Sequence, residues 1–216
     1  MISIENIETH GFAAALRGMR NPHNSWEKSD SWNLTTGYKI GDADHELAMK
    51  LSKAGPVHSK YLRMITVTMD ITAPLYWWKE FDTYKVGTVC DSCSTMHSIT
   101  KKEFTMEDFS TDHLRVLENS CGWEFHFSNT LRQLIAMLNV ARQNYLETED
   151  KEWWWQIIQL LPSSYNQRRT VQLNYAVLQN IYRYRRNHKL DEWQEFCRQM
   201  HNLPYPELFE VDADVI

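Results

Sequence analysis

The sequence predicts an α+β fold that is rich in helix and has a small central sheet. Seven glycines and six prolines in 216 residues leave few breaks, which favours helix over most of the chain. The segment Met64–Ile71 (MITVTMDI) alternates and is β-branched, which predicts a strand. Because hydrophobic residues make up 43% of the chain, a single domain over residues 1–216 can bury a core without disulfide bonds.

The part of the chain before this strand divides into three segments. They are a short helix within Ile7–Met19, a polar loop over Arg20–Lys39 that is suited to carry function, and a helix over Asp42–Ala54. We expect Asp42 or Asp44 near the N-cap of the last helix and Gly55 as its C-terminal stop.

The part of the chain after the strand is predicted to be mostly helical. Pro74 opens an aromatic helix (LYWWKEF), Val86–Val89 is a candidate second strand, and Lys101–Asp112 is predicted as a loop with a short turn. Apolar residues at helical spacing, such as Leu131, Leu134, Ile135 and Leu138, then indicate a run of helices. These are Asn129–Tyr145, Lys151–Leu161, Arg169–Arg186 and Asp191–Met200.

Charge and composition exclude several classes of protein. A net charge of −5 and a pI near 6.0 argue against a partner that is a nucleic-acid polymer. No apolar run approaches the roughly 18 residues of a membrane span, and the N-terminal residues lack the pattern of a signal peptide. Four cysteines do not make a disulfide scaffold, so a reduced, cytoplasmic protein is expected.

Cys90 and Cys93 form a C-x-x-C pair, with His97 four residues further on. Such a pair can be a redox dithiol or half of a zinc site. His113, Cys121 and His126 are available as further ligands, but none has the paired spacing of a known zinc module. The simpler interpretation is two small residues in a packed turn, and we predict no metal.

Polar residues also recur within the segment predicted as the helix Arg169–Arg186. On one continuous helix, Asn174 and Arg185 lie about three turns apart and project to nearly the same face. Amides inside a helix lower its propensity, which suggests a ligand contact. The alternative is a solvated helix end, because the dipole favours Arg183, Arg185 and Arg186 there. His58, after the predicted helix stop, is of a type that is usually a turn or surface residue.

Residues 55–97 and 156–196 resemble the flavin-dependent thymidylate synthases. The first stretch has a Gly-Pro-Val-His-Ser turn, the strand, an Ala-Pro step into an aromatic helix, and then the segment where the family carries Arg-His-Arg and Ser-x-Arg. The second stretch, LLPSSYNQRRTVQLNYAVLQNIYRYRR followed by a Glu-Trp helix, is similar to the family's Leu-Pro, Asn-x-Arg, Asn and Leu-x-Leu-Arg elements. The order and spacing of these matches are more specific than any one of them.

The resemblance implies a set of site residues in this sequence. Those implied to contact the flavin are His58, Ser59, Tyr84, Lys85, Asn174 and Asn180. Those implied to contact the nucleotide are Glu80, Ser94 and Arg185. Arg185 falls on the family's Arg that binds and polarises the pyrimidine, so it is implied to be the catalytic residue.

Three departures from the family pattern affect the arginines that bind anionic groups. Arg-His-Arg is replaced by Thr83-Tyr84-Lys85, the Arg of Ser-x-Arg by Met96, and the Arg of Asn-x-Arg by Ala176. Each loss removes charge-assisted hydrogen bonds of about 1.5–3 kcal/mol. We expect compensation from Arg168 and Arg169.

The resemblance further implies a reaction and its participants. Reduced FAD, recharged by NADPH, supplies reducing equivalents, and methylenetetrahydrofolate supplies the carbon that converts dUMP to dTMP. The expected assembly is a homotetramer that binds a pyrimidine deoxynucleotide. Two alternatives stay open: the same fold acting on, or only binding, a different pyrimidine nucleotide, and a redox or metal protein centred on the C-x-x-C pair.

Overall fold

The structure is a computed structural model that describes residues 2–35, 37–118 and 124–211. Helices within them are α1 (Phe12–Arg20), α2 (Asp42–Lys53), α3 (Leu75–Phe81), α4 (Thr95–Ser98), α5 (Phe127–Thr148), α6 (Lys151–Leu160), α7 (Tyr175–Arg185) and α8 (Asp191–Met200). Strands are β1 (Ser3–His10), β2 (Trp32–Leu34), β3 (Gly37–Lys39), β4 (Thr66–Pro74), β5 (Val89–Ser92), β6 (Val116–Glu118), β7 (Glu124–His126) and β8 (Asn166–Asn174). Short 3₁₀ turns join several of them, including Lys60–Met64 before β4.

A four-stranded sheet has the order β1-β4-β8-β5. Alternate residues of β4 are fully buried, namely Val67, Met69, Ile71 and Ala73. Asp70, between them, accepts hydrogen bonds from Asn6 in β1 (2.8 Å) and Thr170 in β8 (2.6 Å). Two antiparallel hairpins are separate from this sheet: β2–β3, which pairs Trp32 with Lys39, and β6–β7.

The chain divides into two compact units, and both are built from several stretches of sequence. The first contains residues 1–3, 72–80 and 92–169, and the second contains residues 4–71, 81–91 and 170–216. The first unit has its own apolar core, which combines Leu138 of α5 and Ile157 of α6 with Phe104 and Phe109 from the preceding segment. That one domain covers residues 1–216 stays a prediction.

Aromatic side chains form much of the core of the second unit. The Tyr175 ring lies edge-on to those of Phe12 and Phe209, with centroids 5.7 and 5.0 Å away. Helix α8 presents Trp193, Phe196 and Met200 at helical spacing to the interior. Trp193 stacks on Phe81, with the two rings 6.2 Å apart.

The fold class predicted from the sequence is confirmed, and most elements lie where expected. The predicted strand is β4, the helix opened by Pro74 is α3, and Asp191–Met200 is α8. The second strand, predicted at Val86–Val89, begins at Val89 and ends at Ser92. At the start of α2 the N-cap is Gly41, while Asp44 is buried and paired with Arg20.

Three predicted elements were wrong. Ile7–Met19 is not one helix, because β1 runs to His10 and α1 begins only after Gly11, which has φ +97°. The segment Arg20–Lys39 is not only a loop but contains the β2–β3 hairpin. Arg169–Arg186 is strand β8 followed by helix α7, so Asn174 and Arg185 do not share a helix face.

The tryptophans differ in burial. Trp77, Trp78 and Trp193 are at most 1% exposed and belong to cores, whereas Trp153 and Trp155 on α6 are more than a third exposed. In the described part of the chain, no helix is both long and apolar enough to cross a membrane.

Candidate functional site

Two clefts lie side by side on the second unit, along helix α7. The first has a volume of about 290 Å³ and the second about 400 Å³. Arg63, Ala176 and Asn180 line both of them. Arg63 comes from the turn before β4, so the short connection into the sheet places its side chain beside α7.

The first cleft is lined by the turn that follows α2 and by the outer face of α7. Ser59 contributes from the turn, where its hydroxyl donates to the carbonyl of Gly55 at 3.1 Å. From α7 come Gln179 and Arg183. Gln179 lines this cleft, and its Nε2 atom is buried and has no hydrogen-bond partner among the described residues.

The second cleft is lined by the loop 83–87 and by the start of α7. Asn174 is the N-cap of this helix, and its side-chain oxygen accepts from the Val177 N–H at 3.0 Å. Gly87, with φ +79°, passes so close that an added Cβ would lie 2.8 Å from the Asn174 amide nitrogen. The loop and the cap are therefore packed against each other, with Tyr84 and Lys85 also facing the cleft.

Arg185 lies at the end of α7 against two aromatic rings. Its Nε donates to the Tyr84 hydroxyl at 3.0 Å, and its guanidinium lies 5.8 Å from the Tyr84 ring and 5.0 Å from the Trp193 ring. Arg185 is not among the residues that line either cleft, whereas Tyr84 lines the second. Arg185 therefore reaches the cleft region through Tyr84.

The structure brings together five of the residues that the resemblance implies for the flavin. Ser59 and Asn180 line the first cleft, and the second is lined by Tyr84, Lys85, Asn174 and again Asn180. His58 is exposed and is not among the lining residues. Whether any of them binds flavin stays a prediction.

Glu80 and Ser94, implied for the nucleotide, belong to the first unit. Ser94 is the N-cap of α4 and accepts from the His97 N–H at 3.4 Å, which is a weak cap. Arg169, expected to compensate for a lost arginine, lies in the same unit. Its Nε donates to Gln167 at 2.9 Å, and its guanidinium lies over Trp78 at 4.2 Å. The contacts of Arg169 with Gln167 and Trp78 give it a packing role that the sequence did not indicate.

Arg63 and Gln179 were not predicted as site residues. Arg63 lies between the Gly-Pro-Val-His-Ser turn and the predicted strand, where the resemblance implies no site residue, and Gln179 is one polar residue among several on α7. Only the folded positions of the turn and the helix place both side chains at one cleft.

Cys90 and Cys93 are exposed thiols, and neither is in a disulfide. The Cys93 sulfur lies 3.5 Å from the Ser98 hydroxyl. Burial raises the pKa of the third described cysteine, Cys197, to about 12, which makes that thiol unreactive. Across the residues that the structure describes, no three His, Cys, Asp or Glu side chains group closely enough for a metal ion. Cys121 lies outside the described residues.

No family model matches the chain, and no curated protein matches its sequence. Solved structures do match it. One is thymidylate synthase X (ThyX) from Helicobacter pylori with FAD and dUMP, which is 16% identical with a TM-score of 0.69 over 97% of each chain. Another structure of the Helicobacter pylori flavin-dependent enzyme ThyX, complexed with FAD and dUMP, has a TM-score of 0.68 at 16% identity, over 95% of this chain and 97% of the other.

A further match is the UMP/dUMP methylase PolB from Streptomyces cacaoi, bound with 5-Br dUMP. It is 14% identical with a TM-score of 0.60, and the match covers 93% of this chain and 88% of the other. At these identities the likeness is one of fold. The chain therefore has the fold of the flavin-dependent thymidylate synthase ThyX over nearly its whole length.

Proposed function

We propose that this protein binds FAD and a pyrimidine nucleotide and catalyses the reductive methylation of dUMP to dTMP. The observation that carries the proposal is the match, over 97% of both chains, to a protein solved with FAD and dUMP. It is supported by the clefts beside α7, which are lined by five of the residues independently implied for the flavin.

The chemistry of the two clefts fits a flavin nucleotide. Asn180 and Gln179 line the first cleft, and their side-chain amides can hydrogen-bond to a polar ring system. The Lys85 ammonium adds a donor in the second cleft, and the Ser59 hydroxyl, whose proton is donated to Gly55, can add an acceptor in the first. When bound in its reduced form, FAD supplies the reducing equivalents of the proposed reaction.

We assign to Arg185 the stabilisation of negative charge on the pyrimidine. Arg185 places a positively charged guanidinium beside the Tyr84 hydroxyl. The two rings under it orient the guanidinium before a ligand arrives, which lowers the cost of ordering it on binding. Glu80 and Ser94 remain proposed nucleotide contacts.

The proposal extends to the other participants of the reaction. NADPH is the proposed reductant and methylenetetrahydrofolate the proposed carbon donor, both as co-substrates. The proposed assembly is a homotetramer. We also propose that it acts in the cytoplasm, in nucleotide biosynthesis.

A second candidate function is methylation, or binding alone, of a different pyrimidine nucleotide. Ala176 lines both clefts at the position where the resemblance expects an arginine. A site that loses a charged fork there can select a different anionic ligand. The fold likeness to PolB, described as a UMP/dUMP methylase, also favours a test with the ribonucleotide.

The two candidates are separated by one assay with two substrates. The purified protein is loaded with FAD and incubated with NADPH, methylenetetrahydrofolate and either dUMP or UMP, and the methylated product is measured by chromatography. Conversion of dUMP, together with rescue of a thymidine auxotroph, supports the first candidate. Conversion of UMP alone supports the second. If the protein binds neither FAD nor a nucleotide, both candidate functions fail.

The C-x-x-C pair provides a control for the remaining alternative. A double Cys90→Ser, Cys93→Ser variant is expected to keep its flavin binding and its activity, because neither thiol has a proposed role. Stoichiometric zinc in the wild type, or loss of activity in the variant, would favour a redox or metal protein instead.

A further inference from the structure

Three cationic side chains line the two clefts beside α7. Arg63 lines both, Lys85 lines the second and Arg183 lines the first. Among the described residues that line these clefts, none is Asp or Glu. Positive charge without an opposing carboxylate favours an anionic ligand.

These cations also lack partners elsewhere in the described part of the chain. Arg63 and Lys85 make no side-chain hydrogen bond or ion pair with any described residue, and Arg183 has only a contact of 5.5 Å with the Tyr184 ring. Neighbouring arginines at the C-terminal end of α7 differ in this respect. Arg185 is held by Tyr84 and Trp193, and Arg186 lies over Tyr182 at 5.1 Å.

An exposed arginine is more often solvated than functional, so a functional role for Arg63 has to be argued from its position. Arg63 stands on the wall common to two clefts, and Gln179, whose buried Nε2 has no partner among the described residues, lines the first of them. Ala176, which also lines both clefts, leaves room there that an arginine side chain would fill. The second unit therefore places a cation from a different element beside the position where the implied arginine is missing.

We propose that Arg63, flanked by Lys85 and Arg183, binds the phosphate groups of the ligand in these clefts. The inference deepens the proposed function and rests on it. A ligand with several negative charges, such as the pyrophosphate of a flavin dinucleotide, can contact Arg63 from either cleft. The phosphate of a pyrimidine nucleotide has the same chemistry, and the experiment separates these two sources.

The test compares ligands that differ in phosphate content, on the full chain. Dissociation constants for FAD, FMN, riboflavin, dUMP and deoxyuridine are measured for the wild type and for Arg63→Gln, Lys85→Gln and Arg183→Gln. Arg132→Gln is the matched control, because Arg132 is an exposed arginine on α5 in the first unit. Melting temperatures of all variants check that they fold.

Arg63→Gln is expected to weaken FAD binding by about tenfold to a hundredfold, the equivalent of one charged hydrogen bond. Riboflavin binding should stay within about threefold of wild type, since riboflavin has no phosphate. If dUMP rather than FAD loses affinity, and deoxyuridine does not, Arg63 holds the nucleotide phosphate and the inference stands. Higher salt should weaken the affected ligand in the wild type more than in the variant.

Other outcomes overturn the inference. Equal weakening of FAD and riboflavin means that Arg63 contacts the ring system, and unchanged binding of every ligand means that Arg63 is only solvated; the proposed function survives both results. If the wild type binds neither FAD nor dUMP, the proposed function fails. Inorganic pyrophosphate then tests the anion site alone. If the wild type binds pyrophosphate and Arg63→Gln abolishes that binding, the anion site is supported. If the wild type does not bind pyrophosphate, the inference fails.

Discussion

Asp44 is the buried carboxylate on which the N-terminal part of the second unit depends. It is fully buried, pairs with Arg20 at 2.5 Å, and accepts from Ser29 (2.8 Å) and Ser31 (2.6 Å). Asp44→Asn leaves the Arg20 guanidinium buried without a counter-charge. We expect a loss of about 3–5 kcal/mol in the free energy of unfolding, measured with urea at neutral pH.

Asp42→Asn is the matched control, because Asp42 is an exposed residue two positions earlier on the same helix. It should cost less than about 1 kcal/mol. An equal loss of unfolding free energy in the two variants would mean that the buried Asp44–Arg20 pair contributes no more to stability than an exposed carboxylate.

The same carboxylate gives stability a dependence on pH. Burial by itself would raise the pKa of Asp44, but the hydrogen bonds from Ser31, Ser29 and Arg20 outweigh it and hold the pKa below its ordinary value. The stabilisation by Asp44 is therefore complete above the unfolded pKa of about 3.9 and disappears as pH falls through the lower folded value. Asp44→Asn should lose less stability on acidification than the wild type does.

Arg185 has both a packing role and a proposed chemical role, and two variants separate them. Arg185→Ala removes the contacts with Tyr84 and Trp193, so we expect a stability loss of about 1–2 kcal/mol. Nucleotide binding should weaken by about 1.5–3 kcal/mol, and turnover should fall further if the charge is needed mainly in the transition state. Arg185→Lys keeps the charge without the fork and should rescue only in part.

Tyr84→Phe serves as the comparison, because it removes only the hydroxyl that accepts from Arg185. Urea unfolding, nucleotide titration and turnover are measured on all three variants. An Arg185→Ala protein that is less stable but binds nucleotide and turns over normally would make Arg185 a packing residue alone.

At the scale of elements, helix α7 shows where the sequence was misleading. Strand β8 alternates buried Val171 and Leu173 with exposed Thr170 and Gln172, which is a strand pattern. The same apolar residues also continue at helical spacing into Val177 and Leu178, so the boundary at Asn174 was missed. Because the start of the helix was predicted several residues too early, the cap residue Asn174 was interpreted as an amide inside the helix.

The new boundary gives Asn174 two separable roles. It caps α7 through Val177, and its amide lies in the second cleft. Asn174→Asp keeps the acceptor for the cap and adds a negative charge that the helix N-terminus favours, so stability should be unchanged or higher. The same charge should weaken the binding of FAD, which is anionic. Asn174→Ala should instead lose about 1 kcal/mol of stability.

Thermal unfolding and FAD titration of the two Asn174 variants are the measurements. Wild-type FAD affinity in Asn174→Asp would place the flavin away from the start of α7.

The candidate site could be predicted only as far as local motifs extend. Ser59, Tyr84, Lys85, Asn174 and Asn180 follow recognisable steps of the chain, and the structure gathers them at two clefts. The exposed position of His58 and the aromatic support of Arg185 depend on tertiary packing. Arg63 had no local signal, because its relation to α7 is set by the turn that leads into β4.

At the scale of the whole molecule, ligand binding should appear as stability. A ligand that binds only the folded chain adds about 2.7 kcal/mol when present at 100 times its dissociation constant. For a chain of this size we expect FAD to raise the melting temperature by about 5–10 °C under that condition. Calorimetry with and without FAD measures the shift, and the same measurement with riboflavin is the control. If neither FAD nor riboflavin shifts the melting temperature, flavin binding is contradicted.

The division of the chain into units has a consequence for any attempt to dissect the gene. The backbone passes from one unit to the other five times, near residues 3, 71, 80, 91 and 169. The crossings at 3, 71, 91 and 169 fall inside β1, β4, β5 and β8, and the crossing at 80 falls inside α3. No single truncation or protease cut can therefore release either unit whole. Neither unit can be transferred to another protein as one continuous segment of sequence. Fragments that end at the crossings within strands cut through the central sheet and should be recovered as insoluble protein.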